Sequence, residues 1–167
     1  MLADLGLVTS RENYGSFVTK LTNREFEEAF DIASLLETYS AKLAAKRVSK
    51  EELSALKAIN AKIEGLDQSK ENYFENFRKL NNKFHEIVHR ASGNDILFDL
   101  IQRVPQVANN VASARSIPLD LERVTFEHNR IIEALESGDA DYSELQMQTH
   151  VETARRFMRH ITLCDDY

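Results

Sequence analysis

The chain has 167 residues, 43% of them hydrophobic, and a formal net charge of −6 at pH 7. That length buries a core without disulfides, and the single cysteine, Cys164, excludes an intramolecular disulfide framework and fits a reducing, cytoplasmic compartment. The negative charge argues against nucleic-acid binding by this chain alone, and the lack of a long apolar stretch or a signal pattern argues against a membrane partner.

The first 21 residues differ in pattern from the rest of the chain. Residues 2–8 predict a helix end with a glycine stop followed by a short strand, residues 11–15 a turn, and residues 16–19 a second short strand. A lone two-stranded hairpin is only marginally stable. We therefore expect this hairpin to pack against the rest of the chain or against a missing N-terminal part.

From Asn23 onward, helical periodicity dominates. Ser49 is the predicted N-cap of the second helix, with Glu52 as its capping-box partner, and Pro105 should kink the fourth. The fold class is thus all-α, an antiparallel bundle of six helices, or seven, after a short N-terminal β-hairpin. The predicted helices span about residues 24–47, 50–63, 70–91, 95–114, 119–137 and 141–162.

Three histidines, His85, His128 and His150, each fall on the apolar face of a different predicted helix. Imidazole is only partly buried in most soluble proteins, so three of them directed into one core need a common reason. Neutral imidazole is the commonest protein metal ligand. Their joint phase therefore predicts a metal-binding pocket inside the bundle.

Four motifs in the chain resemble the effector-binding domain of the FadR branch of GntR-type bacterial transcription regulators. The motifs are Leu35-Leu36-Glu37 with residues 41–47, Asn81-x-x-Phe84-His85 with residues 91–94, Glu127-His128-x-x-Ile131 with residues 134–139, and Met147-x-x-His150. The resemblance implies a helical effector-binding domain over residues 22–167. It also implies that residues 1–21 are the wing of a truncated winged helix-turn-helix whose recognition helix is missing.

The resemblance further implies a divalent metal inside the bundle, held by Asn81, His85, His128 and His150, that helps to bind a small carboxylate effector. Asn81 departs from the pattern, which usually has Asp, and an uncharged amide should lower the metal affinity. The family usually places an Arg where this chain has Ala33, and we consider Arg115 as a replacement that binds the effector. Zinc or nickel suits three imidazoles and an amide oxygen.

Two other interpretations stay open. His85-Glu86-x-x-His89 spells the H-E-x-x-H motif of a metal-dependent hydrolase, which we interpret as a coincidence because a closed bundle offers no substrate cleft. A metal-free bundle that binds an acyl or apolar ligand is the other alternative. Glu127 is interpreted as a surface charge.

The sequence thus predicts a sensor and not an enzyme. We expect a cytoplasmic homodimer that binds a small carboxylate, with its interface on the first or fourth helix, and that contacts DNA only through the missing N-terminal domain.

Overall fold

The computed structural model describes residues 8–11, 15–18, 22–103 and 119–164. The predicted kink at Pro105, the predicted continuation of the fourth helix to residue 114, and Arg115 all lie outside the described residues. Strands β1 (Val8–Arg11) and β2 (Gly15–Val18) pair antiparallel, with Val8 opposite Val18 and Arg11 opposite Gly15.

Six helices lie in the rest of the described chain, which confirms the predicted all-helical bundle. They are α1 (Asn23–Ala44), α2 (Lys50–Glu64), α3 (Tyr73–Ala91), α4 (Asp95–Arg103), α5 (Leu121–Ser137) and α6 (Ala140–Cys164). None of the helices in these described ranges is long and apolar enough to cross a bilayer.

The sequence sets the ends of these helices. Capping boxes start α1 at Thr22 and α2 at Ser49, where each hydroxyl accepts from the backbone N–H of the glutamate three residues later. Asp120 caps α5 by accepting from the backbone of Arg123. Gly138 closes α5 with a φ of 70°, a left-handed conformation that glycine adopts without a steric cost.

The core lies where α1 packs against α6 and α3, and where α2 packs against α3 and α5. Its fully buried side chains come from five helices and include Ala41, Leu56, Phe84, Val88, Ile131, Ala134 and Met147. The three histidines of the predicted site lie within this apolar interior. Their ring nitrogens and the polar groups around them must therefore find hydrogen-bond partners inside the bundle.

Candidate metal centre

Helices α3, α5 and α6 bring His85, His128 and His150 together in the bundle interior. One ring nitrogen of each lies within 4.8 Å of those of the other two, and the Nε2 atoms of His85 and His150 are 3.2 Å apart. His128 is 0% exposed and His150 6% exposed. The predicted convergence of the three histidines is therefore present in the structure, and we call this set the central triad.

Asn60 of α2 fixes the orientation of His128. The Asn60 amide nitrogen donates to the backbone oxygen of Thr125 and to Asn129 Oδ1, so its own Oδ1 is left to accept from His128 Nδ1 at 3.1 Å. Phe84 stacks on the imidazole with ring centroids 3.9 Å apart. The proton of His128 therefore sits on Nδ1, and the Nε2 lone pair faces the centre of the triad.

Glu127 holds His150 in the same way. His150 Nδ1 donates to Glu127 Oε2 at 3.0 Å, and Arg123 Nε donates to the other carboxylate oxygen at 3.1 Å. Burial raises the pKa of the Glu127 carboxyl, but the hydrogen bonds from His150 and Arg123 outweigh it and leave that pKa below its usual value. The interpretation of Glu127 as a surface charge was wrong: the residue is 9% exposed and orients a histidine.

His85 contacts a carboxylate from α1. Its Nδ1 lies 3.0 Å from Glu37 Oε2, which is an ion-pair distance, although the two groups are not aligned for a hydrogen bond. Burial raises the pKa of Glu37, yet the electrostatic interaction with the neighbouring imidazoles of His85 and His89 outweighs burial and places that pKa far below its usual range. Glu37 is therefore an anion that lies beside His85 Nδ1, on the side of the ring away from the triad.

The three Nε2 atoms form a set of possible metal ligands, and those of His85 and His150 contact each other. His128 Nε2 is buried and has no hydrogen-bond partner among the described residues. Zn–N bonds of about 2.1 Å in a tetrahedron separate adjacent ligand atoms by about 3.4 Å, close to the 3.2 Å between His85 and His150. A shared proton or a cation must lie between two nitrogens at that distance, and the spacing is one that a metal ion fits.

Desolvation favours the neutral, metal-binding form of His128 and His150. Burial lowers the pKa of His128 well below its usual value, with further lowering by the charges of His150 and His85. Burial also lowers the pKa of His150, and the hydrogen bond to Glu127 opposes that effect only in part. Buried imidazoles backed by hydrogen-bond acceptors on the far nitrogen are typical of metal sites.

Asn81, the fourth predicted ligand, lies one helical turn before His85 on α3. Its Oδ1 is buried and lacks a hydrogen-bond partner within the described part of the chain. Its role as a ligand stays a prediction. The other predicted site residue, Arg115, lies outside the described residues, so its role as an effector ligand also stays a prediction.

Glu86, the general base that a hydrolase would need, does not serve the cluster. Its two carboxylate oxygens bind Arg90 at 2.9 Å and Lys83 at 3.0 Å, and both cations are exposed. His89, by contrast, is 4% exposed, and its Nε2 lies 3.6 Å from Glu37 Oε2. The H-E-x-x-H run therefore directs its two histidines inward and its glutamate outward.

Sequence reasoning missed the supporting residues Asn60 and Glu37 as members of the site. Asn60 could have been found, because it lies four residues after Leu56 and three before Ile63 on the inner stripe of α2. An amide on such a stripe needs polar partners in the core. Glu37 carries no comparable signal, since charged residues flank many apolar stripes.

Comparisons with known proteins agree with this architecture. Residues 28–153 match the FCD domain family. The chain is 29% identical over 153 residues to the probable D-xylose utilization operon transcriptional repressor of Paenarthrobacter nicotinovorans, a match covering 90% of this chain and 65% of that protein. It is 24% identical over 164 residues to the uncharacterized HTH-type transcriptional regulator YdhC of Bacillus subtilis, covering 93% of this chain and 70% of that one.

Solved structures share the fold. Escherichia coli McbR/YncC superposes with a TM-score of 0.84 at 17% identity, covering 95% of this chain and 80% of that one. Streptococcus agalactiae GntR superposes with a TM-score of 0.60 at 20% identity, covering 93% and 77%. The family and the relatives are those of transcription regulators and not of enzymes. The chain belongs to the FCD domain family, the effector-binding domain of GntR-family transcription regulators.

Proposed function

We propose that this domain senses a small carboxylate through a divalent metal ion, zinc or nickel, held by the central triad with Asn81 as a fourth ligand. The observation that carries the proposal is the cluster of three imidazole nitrogens, of which His128 Nε2 has no partner in the described protein. Asn60 and Glu127 fix the rings of His128 and His150 through hydrogen bonds to the far nitrogens, and Glu37 lies 3.0 Å from the far nitrogen of His85.

The donor set suits an effector that carries its own negative charge. Three neutral imidazoles and an amide leave the full charge of a dication uncompensated within the set. When bound, the ion would offer open coordination positions to a carboxylate oxygen. The chain's own residues would supply the rest: the buried rings exclude bulk water, and their hydrogen-bonded partners hold the ligand nitrogens in place.

The first test is the metal content of the purified domain. Elemental analysis after exhaustive dialysis against zinc should find bound metal in the wild type. His128→Ala and His150→Ala should each release the ion from the central triad, with circular dichroism confirming that the helices remain. Metal content unchanged in both folded variants would overturn the proposal.

The second test concerns the effector. Acetate and succinate are suitable probes because they bind metal weakly in solution and will not strip the site. We expect either acid to raise the melting temperature of the zinc-loaded domain, and to have no effect on His150→Ala. D-xylose belongs in the same series, since one relative is named for a xylose operon. Stabilisation by the sugar and not by the acids would refute the carboxylate assignment.

We also propose that the domain works as a dimer through α1 and α4. These two helices pack against each other. They expose large apolar side chains, namely Ile32 (51%), Leu35 (65%), Tyr39 (47%), Ile96 (76%) and Leu100 (46%). Clustered exposed apolar residues mark association surfaces, and a two-fold interface needs one self-complementary patch. Sedimentation at tens of micromolar should detect the dimer, and a strictly monomeric species would contradict it.

DNA binding then belongs to a part of the regulator outside these 167 residues. We assign the β1–β2 hairpin to the wing of a winged helix-turn-helix, which by itself lacks a recognition helix. The effector can act only through its different affinity for two arrangements of the dimer. A gel shift with this chain alone should give at most weak, salt-sensitive binding, and one preferred operator at physiological salt would refute the assignment.

A further inference from the structure

A second cluster of metal-binding groups lies beside the central triad, between α1 and α3. Glu37, His85 and His89 each offer one ligand atom, and the three atoms lie within 4.8 Å of one another. His85 and His89 are one helical turn apart and therefore share a face of α3. Glu37 projects from α1 toward that face. The sequence analysis considered His89 as a metal ligand only in the alternative hydrolase motif.

The cluster is poorly satisfied by the protein. The buried atoms without a hydrogen-bond partner in the described residues include Glu37 Oε2, His85 Nδ1, and both ring nitrogens of His89. Buried polar atoms in native proteins nearly always find partners, so four orphaned atoms at one place call for a ligand. Both His89 nitrogens are affected, and His89 is 4% exposed. A hydrogen bond from His89 to Glu37 alone would leave the other nitrogen unpaired.

We propose that Glu37 Oε2, His85 Nδ1 and His89 Nε2 bind a second divalent cation. The proposal rests on the proposed function in one respect, because His85 already offers its Nε2 to the first ion. His85 would then bridge the two ions as an imidazolate. Its Nδ1–H bond breaks, the electron pair stays on nitrogen to bind the second ion, and the proton leaves to solvent.

The distances and charges suit such an ion. Glu37 Oε2 lies 3.0 Å from His85 Nδ1 and 3.6 Å from His89 Nε2, and these values bracket the separation of about 3.4 Å between adjacent ligands of a tetrahedral zinc ion. The Glu37 carboxylate supplies a negative charge that the central triad lacks. The charge of the His85 imidazolate is shared between the two ions.

Zinc stoichiometry tests the proposal in the whole chain. Equilibrium dialysis followed by elemental analysis should find two ions per wild-type chain and one in His89→Ala. His128→Ala should also retain one ion, because it empties the central triad and leaves the second cluster intact. Glu86→Gln is the matched control on α3, since its carboxylate binds surface cations, and it should retain two.

The outcomes separate the two sites. A single wild-type ion that is lost in His128→Ala and kept in His89→Ala overturns the second site and leaves the central one. A single ion with the opposite pattern supports the second cluster and overturns the central triad. No bound zinc overturns both. If His89→Ala fails to fold, His89→Gln and Glu37→Gln should each show the same loss of one ion.

Copper provides an independent measurement of the bridge. In the wild type loaded with two Cu²⁺ ions, spins joined through the His85 imidazolate should couple, and the electron paramagnetic resonance signal should integrate to fewer than two spins per chain. Two full, uncoupled spins would overturn the bridge. His89→Ala loaded with one Cu²⁺ should give one full spin.

Discussion

Glu127→Gln isolates the contribution of an orienting carboxylate to metal binding. The substitution keeps the shape of the side chain and removes its charge. In the wild type, Oε2 accepts from His150 Nδ1 at 3.0 Å, and the side chains of His150 and Glu127 are only 7% and 10% exposed. The glutamine amide can keep its oxygen toward His150 only by placing its NH₂ group against the Arg123 guanidinium. In the opposite orientation, the NH₂ group faces the Nδ1–H of His150.

The size of the effect follows from this burial. Loss of a partner behind a metal-binding histidine typically weakens metal binding by about 10- to 100-fold, or about 1.4–2.7 kcal/mol. We expect the upper part of that range, because water screens the buried pair poorly and Arg123 is left facing an amide. Competition with a chromophoric chelator would measure the zinc affinity of the central triad, in a His89→Ala background that leaves one ion.

Glu133→Gln is the matched control. It makes the same change on the same helix, at a residue whose carboxylate pairs with Arg130 at 2.8 Å and whose side chain is 58% exposed. Surface ion pairs contribute little, so its zinc affinity should equal that of the reference protein. Equal affinities for Glu127→Gln and Glu133→Gln would refute the reasoning that Glu127 acts on the metal through His150.

Four further predictions concern stability and assembly. Burial lowers the pKa of His128, so the unfolded chain binds more protons below pH 6.5, and the free energy of unfolding of the metal-free protein falls on acidification. In urea titrations with EDTA, His128→Leu should reduce the dependence of that free energy on pH by up to about 1.4 kcal/mol per pH unit. An unchanged pH dependence would contradict this prediction. Phe84→Ala should cost about 3–5 kcal/mol in the same assay, since the ring is fully buried and stacks on His128. Ser49→Ala, which removes a capping box, should cost about 1 kcal/mol, and no loss would mean that the cap is dispensable. Leu35→Asp should shift sedimentation toward the monomer, whereas an unchanged dimer would place the interface elsewhere.

The helices and the central triad could be predicted because periodic patterns encode them directly. His85, His128 and His150 each lie on an apolar stripe of a helix. Such a stripe indicates that its side chains face the interior, even when the helices that pack against it are unknown. Capping residues such as Ser49 are equally local, because the hydroxyl and the backbone it binds are three residues apart.

The partners of the histidines could not be predicted in the same way. Glu127 lies beside His128 in sequence but binds His150, on the next helix, and only the packing of α5 on α6 brings them together. Asn60 meets His128 across 68 positions of sequence, and Glu37 meets His85 across the contact of α1 with α3. A charged or polar residue at the edge of a helical stripe does not indicate which neighbouring helix will pack against it.

The burial of His128 and His150 has a consequence for the rate of metal exchange. His128 and His150 are almost inaccessible, and their hydrogen-bond partners Asn60 and Glu127 lie on α2 and α5. An ion held in the central triad would therefore exchange mainly through local opening of the helices, at a rate set by the stability of the bundle. Exchange would be slow even for a weakly preferred metal, so the ion present when the chain folds would stay through many cycles of effector binding.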